Sequence, residues 1–174
     1  MSTYKGYEIA IETHRDDDMG PPWKEHDGHG IVSDWEHRDK EPGELLLHED
    51  HGSKRYYDFK GTLEIAKRDG WGLGEKAMAK LTAKCGRKPT RKQVIATAVM
   101  ADFEYLRGWC NDEWQWLGYT TTITTPDGEV LRGDSCWGFD GGDYMADEAQ
   151  SQAEAFIDRH ILTVEQTELA EVFP

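Results

Sequence analysis

The sequence predicts an α+β fold: an antiparallel sheet of four to five strands packed with three to four helices, in a single domain spanning residues 1–174. Three observations predict it. Short segments in which apolar and polar side chains alternate occupy the first 60 residues and return after residue 114. Apolar residues at helical spacing fill the middle and the end of the chain. The regular strand–helix–strand succession that builds a parallel sheet is missing. Apolar residues make up only 37% of the chain, but seven Trp and seven Tyr can each bury a large area, so an aromatic-rich core is expected rather than disorder.

The elements follow in order. In YKGYEIAIETH (4–14), Tyr7, Ile9 and Ile11 fall on one face and Glu8, Ala10 and Glu12 on the other, the pattern of a half-buried strand. Asp16, Asp17, Asp18 and the Gly-Pro-Pro after them end it. IVSDWEHR (31–38) and GELLLHED (43–50) read as strands joined by the turn DKEPG, and RYYDF (55–59) as a fourth. FKGTLEIAKRDG reads as a helix that stops at Gly70, with Leu63, Ile65 and Ala66 inside. LGEKAMAKLTAKCG (73–86) is a second helix, capped by Gly86. A third starts at Thr90, whose partner Gln93 completes a capping box; Ile95, Val99, Phe103 and Leu106 recur along its inner face. WQWLGYTTTITTPDGEVLRGDSCWGF (114–139) reads as a β-hairpin turning at Pro126-Asp127-Gly128. The last helix is expected over 143–160, with Met145, Ala149, Ala153, Phe156 and Ile157 facing inward. The tail from residue 163 to 174 has no clear destination and is expected to be loosely attached.

Charge is unevenly spread. Residues 1–53 carry a net −9, residues 54–96 a net +8 and residues 97–174 a net −13, for a total of −14. A surface this acidic repels nucleic-acid phosphates and attracts basic partners. The three cysteines, Cys85, Cys110 and Cys136, form no C-x-x-C pair, which speaks against a disulfide framework or a Cys-only zinc site. No window approaches the roughly 20 apolar residues of a membrane span, and the N-terminus lacks a signal-peptide core, so a cytoplasmic protein without membrane contact is expected.

The stretch GPPWKEHDGHG (20–30) concentrates unusual residues. His26 and His29, with His48 and nearby acids, have the donor types zinc uses, but the spacing matches no metal motif, and no metal or other cofactor is assigned. Pro21 and Pro22 stiffen the chain ahead of Trp23, which either plugs a core edge or presents an aromatic anchor to a partner, with His26, Asp27 and His29 beside it. Arg87, Lys88, Arg91 and Lys92 cluster where two helices meet and are the candidate phosphate contacts of a nucleic-acid-binding hairpin over 76–92. Trp109, Trp114, Trp116 and Trp137 read as an aromatic seam between the long helix and the hairpin. Asp143 sits where a helix cap belongs. G-x-S-x-G, P-loop and G-x-G-x-x-G motifs are absent, and no catalytic residue is assigned.

Taken together, MGPPWKEHDGHG, RYYDF, KRDGWG, DFEYLRGWCNDEWQWLGY and SCWGFDGGDY resemble phrases in small acidic proteins of tailed bacteriophages and prophages. The resemblance spans nearly the whole chain. It implies a phage accessory protein made inside a bacterial host cell, and it carries over no activity and no functional residue. The first expectation is therefore a non-enzymatic protein that binds a host protein with a basic surface, imitating nucleic acid and inhibiting a defence or nucleic-acid enzyme. Its acidic contacts would be Asp147, Glu148, Glu154 and Asp158 on the outer side of the last helix, with Asp127 and Glu129 at the hairpin turn. The alternatives are a small metal-dependent or nucleotide-processing enzyme built on the histidine-rich loop, and a direct nucleic-acid binder through 76–92, which the acidity disfavours.

Overall fold

The computed structural model describes residues 1–172. In chain order its elements are β1 (Ser2–Tyr4), β2 (Tyr7–Arg15), α1 (Pro22–Glu25), β3 (Ile31–Val32), β4 (Glu44–Asp50), β5 (Ser53–Asp58), α2 (Phe59–Asp69), α3 (Glu75–Cys85), α4 (Arg91–Cys110), β6 (Leu117–Thr124), β7 (Val130–Phe139) and α5 (Gly142–Val172). The α+β class with antiparallel sheets and packed helices is as expected. The strands are divided between a four-stranded sheet of order β1-β2-β6-β7 and a three-stranded sheet of order β3-β5-β4. The chain forms two compact units, one of Met1–Met19 with the chain from Gln115 on, the other of Gly20–Trp114.

In the first unit, the alternation of β2 is used as the sequence suggests. Tyr7 and Ile9 are buried, while Glu8 and Glu12 stay exposed. The strand read over 4–14 is in fact a hairpin, turning at Lys5 and Gly6, both at positive φ (49° and 85°). The register Ile9↔Ile123 and Thr13↔Tyr119 puts the buried residues of β2 and β6 on one sheet face. Helix α5 covers that face with Met145, Ala149, Ala153 and Ile157. Ile9, Ile123 and Ile157 are fully buried, each contributing about 1.5–3 kcal/mol of transfer free energy. Helix α5 runs well past residue 160 to Val172, so residues 163–172 of the supposed tail are helical. Phe173 and Pro174 lie outside the described residues.

In the second unit, Leu47 and Tyr57 of the sheet meet Ala66 of α2 and Ile95, Val99, Phe103 and Leu106 of α4. Thr90 and Gln93 form the expected capping box. Asp58 caps α2 by accepting from the Gly61 amide at 2.8 Å. Helix α3 ends at Gly86 in the left-handed region but buries none of its residues.

Between β3 and β4 the chain is held by Arg38, whose Nη1 and Nη2 donate to Glu44 Oε2 and Oε1 at 2.7 and 2.8 Å. Glu44 Oε2 also accepts the Glu41 amide at 2.7 Å, and the Tyr56 hydroxyl donates to the Arg38 carbonyl at 2.6 Å. The Arg38 fork, the largest cause, holds the Glu44 carboxyl below the usual glutamate range. A carboxylate that binds its proton less readily folded than unfolded stabilises the fold fully above its ordinary value of about 4.3 and loses that contribution as pH falls through the lower folded value. The stability difference between wild type and Glu44→Gln is therefore expected to be constant above about pH 5 and to shrink toward zero as the pH falls below 4, in urea titrations at each pH.

Candidate functional site

The histidine-rich loop is built around an acid that the sequence does not single out. Asp102, on α4, is only 10% exposed and accepts three hydrogen bonds. His29 Nδ1 donates to its Oδ1 at 2.6 Å. The Gly30 amide and the Tyr57 hydroxyl donate to its Oδ2 at 2.8 and 2.7 Å. The imidazole of His29 stacks on Tyr105, centroids 5.5 Å apart and planes 10° from parallel. Burial, followed by the Asp102 hydrogen bond, pushes the Tyr57 phenol above the ordinary range. The next amide along, of Ile31, donates to Thr62 Oγ1 at 3.0 Å. Gly30 is obligatory here: a Cβ at that position would lie 2.4 Å from the Tyr57 hydroxyl oxygen. An aspartate-oriented imidazole has the first two parts of an acid/base relay, but Asp102 is the only partner of the His29 ring nitrogens among the described residues. The cluster acts as a clasp that fastens the loop to α4.

The other candidates of this loop disperse. His26 and Asp27 are exposed, just after α1. His48 lies in β4, its Nδ1 3.1 Å from Asn111 Oδ1. Among the described residues, no three His, Cys, Asp or Glu side chains gather as a metal ligand set. Trp23 is half-buried against the second unit's core and meets Trp109 edge-on at 5.6 Å, the core-edge plug foreseen as one of its two roles. The supposed aromatic seam is divided: Trp109 and Trp114 belong to one unit and Trp116 and Trp137 to the other. Trp116 is buried, but Trp137 is 47% exposed and is no core residue.

Arg87 and Lys88 are exposed in the turn after Gly86, and Arg91 and Lys92 are exposed in the first turn of α4. The latter two, with Lys67, rim a groove of about 790 Å³ floored by Leu63, Ile95 and Ala96.

The acids sort by unit. Residues 1–19 with 115–174 hold 17 Asp and Glu against four Lys and Arg, a net −13. Residues 20–114 hold 17 against 16, a net −1. The acidic stretches 1–19 and 115–174 thus fold into one unit, while 20–53 (net −6) and 97–114 (net −3) join the basic middle in the other, which nearly cancels them. On α5 the positions 143, 147, 154, 158 and 165 are spaced 4, 7, 4 and 7, so Asp143, Asp147, Glu154, Asp158 and Glu165 share one stripe about 60° wide and about 33 Å long. Asp143, Asp147 and Glu165 are exposed. Glu154 accepts from Gln150 Nε2 at 2.7 Å, and Asp158 lies 2.9 Å from Lys5 Nζ. Glu148 belongs to another face, about a quarter turn away, where it accepts from Gln152 Nε2 at 2.9 Å. The stripe therefore gains Asp143, which is a first-turn residue rather than a cap, and Glu165, from the supposed tail. The 4-7-4-7 spacing was the sequence signal that could have found both. At the hairpin turn Asp127 is held below the usual aspartate range by the Thr125 hydroxyl, 2.5 Å away.

Comparison with protein-family models, with curated proteins and with solved structures gave no match. Among the described residues no helix is long and apolar enough to cross a membrane.

Proposed function

We propose that the protein is a non-enzymatic binder of a protein with a basic surface, and that the carboxylate stripe of α5 makes the contact. The observation that carries this reading is the row of five acids along one helix of a unit whose net charge is −13. A linear run of negative charge is what a nucleic-acid strand offers to a basic cleft, and a rigid helix offers it without the entropy cost of ordering a flexible chain. With the resemblance to phage proteins, the partner is a host defence or nucleic-acid enzyme, met in the bacterial cytoplasm. The test is capture from a bacterial lysate by wild type and by the triple variant Asp143→Asn, Asp147→Asn, Glu165→Gln, at about 50 mM and about 500 mM salt. A protein held by wild type at low salt, and lost both at high salt and with the variant, is the expected outcome. Finding no enriched protein at low salt, or equal capture by the variant, would overturn the reading.

The gathering of Lys67, Arg91 and Lys92 around one groove favours a second reading, direct nucleic-acid binding by the other unit. A low-salt gel shift lost on Arg91→Gln with Lys92→Gln would establish it.

A further inference from the structure

Arg55, in β5, has no place in the reading above. It pairs across the strands with His48 of β4. Its guanidinium carbon lies 5.0 Å from the ring centre of Trp23 and 4.6 Å from that of Trp35. His48 meets the same Trp35 ring edge-on at 5.8 Å, and its Nδ1 faces Asn111 at the C-terminal end of α4. Cys110 is close enough that the Arg55 charge opposes the upward push of burial on its thiol.

What this cluster lacks is an anion. In a chain with 34 carboxylates, none of the described ones comes within 4.0 Å of the Arg55 guanidinium, and its buried Nε–H has no hydrogen-bond partner. A guanidinium carries five donors in a planar fork and is never deprotonated, so leaving it unpaired beside two indoles costs free energy that most arginines avoid. Arg38 in the same unit shows the ordinary solution, a two-pronged bond to Glu44. The aromatic faces hold Arg55 through cation–π attraction, which fixes the plane of the fork without using its N–H groups. Trp35, 46% exposed, leaves an apolar surface beside the fork.

We propose that Arg55 is the anchor of an oxyanion-binding site, taking a carboxylate or phosphate group in its fork while the body of the ligand lies on the Trp35 indole. The site belongs to the unit of net charge −1 and owes nothing to the acidic stripe. The fork matches two oxygens of either group, the geometry that gives arginine its preference for both.

The experiment is a titration of the full chain with sodium phosphate, sodium acetate and sodium chloride at matched ionic strength, followed by NMR at the Arg55 Nε–H and Trp35 indole N–H signals. Saturable shifts are expected for at least one oxyanion, with affinity at least ten-fold above chloride. Phosphate preference assigns a phosphate-bearing ligand, acetate preference a carboxylate. Arg55→Lys keeps the cation and the stem but loses the fork, and should weaken the binding at least ten-fold; Trp35→Ala should weaken it while leaving the rest of the spectrum in place. Shifts that rise linearly and equally with all three salts, or saturable binding undiminished in Arg55→Lys, would overturn the assignment.

Discussion

Asp102→Ala is expected to lower the unfolding free energy of the protein by about 3–4 kcal/mol, more than any exposed substitution. One carboxylate satisfies three donors: the His29 ring, the Gly30 amide and the Tyr57 hydroxyl. Removing it leaves the His29 ring and the Gly30 amide with no acceptor and the fully buried Tyr57 hydroxyl with only the Val99 carbonyl, 3.3 Å away. An unsatisfied buried donor costs about 1–3 kcal/mol, and the three share one acceptor, so their losses overlap rather than add. Tyr57→Phe removes a donor instead of the acceptor and should cost only about 1 kcal/mol. Urea unfolding followed by tryptophan fluorescence measures both; a loss below about 1 kcal/mol for Asp102→Ala would show that the clasp holds nothing.

Gly30→Ala is expected to cost about 3 kcal/mol although it adds a single methyl group. The added carbon would sit 2.4 Å from the Tyr57 hydroxyl oxygen and 2.5 Å from the ring carbon that bears it. Tyr57 cannot yield, because it is fully buried and its ring packs edge-on against Phe103 at 5.6 Å. Overpacking of this kind costs about 1–3 kcal/mol, and here it also pulls the Gly30 amide off Asp102. Gly28→Ala is the informative control for placement. No heavy atom lies within 4 Å of its would-be Cβ, so its cost comes only from a φ of 95°. Equal losses at the two positions would mean that the close approach at Gly30 plays no part.

Much of the architecture was legible because it follows local rules. The capping box at Thr90, the stop at Gly70 and the inward face of α4 all rest on contacts within one or two helical turns. The hairpin of β6 and β7 came from its threonines and its Pro-Asp-Gly turn. Three features were harder. The division of the strands into two sheets depends on pairing across more than a hundred residues, as between β2 and β6, which no local pattern encodes. The Lys5-Gly6 turn was passed over because the alternation on either side of it reads as one strand. Asp102 was missed because a single carboxylate within a helix looks like solvent-facing polarity until Tyr57 and His29 are brought to it. The histidines were noticed as zinc-type donors; of the two glycines that flank His29, Gly30 serves a close backbone approach to Tyr57.

The candidate surface shows the same division. Asp147, Glu154 and Asp158 were readable from the outer face of the predicted helix. Its extension to Val172 was not read, since residues 163–167, all exposed, turn no apolar face inward. Glu165 joins the stripe only once that extension is known.

The central claim is that charge in the folded molecule is segregated: strongly negative along α5, and near neutral or positive over α3 and the start of α4. Per-residue surface potentials measure it directly, from NMR relaxation of backbone amides in the presence of a cationic and then an anionic paramagnetic cosolute. Segregation predicts that the cationic probe is enriched several-fold over the anionic one at Asp143, Asp147 and Glu165, with the ratio near one or reversed from Lys84 to Lys92. A uniform excess of the cationic probe over both regions would contradict it.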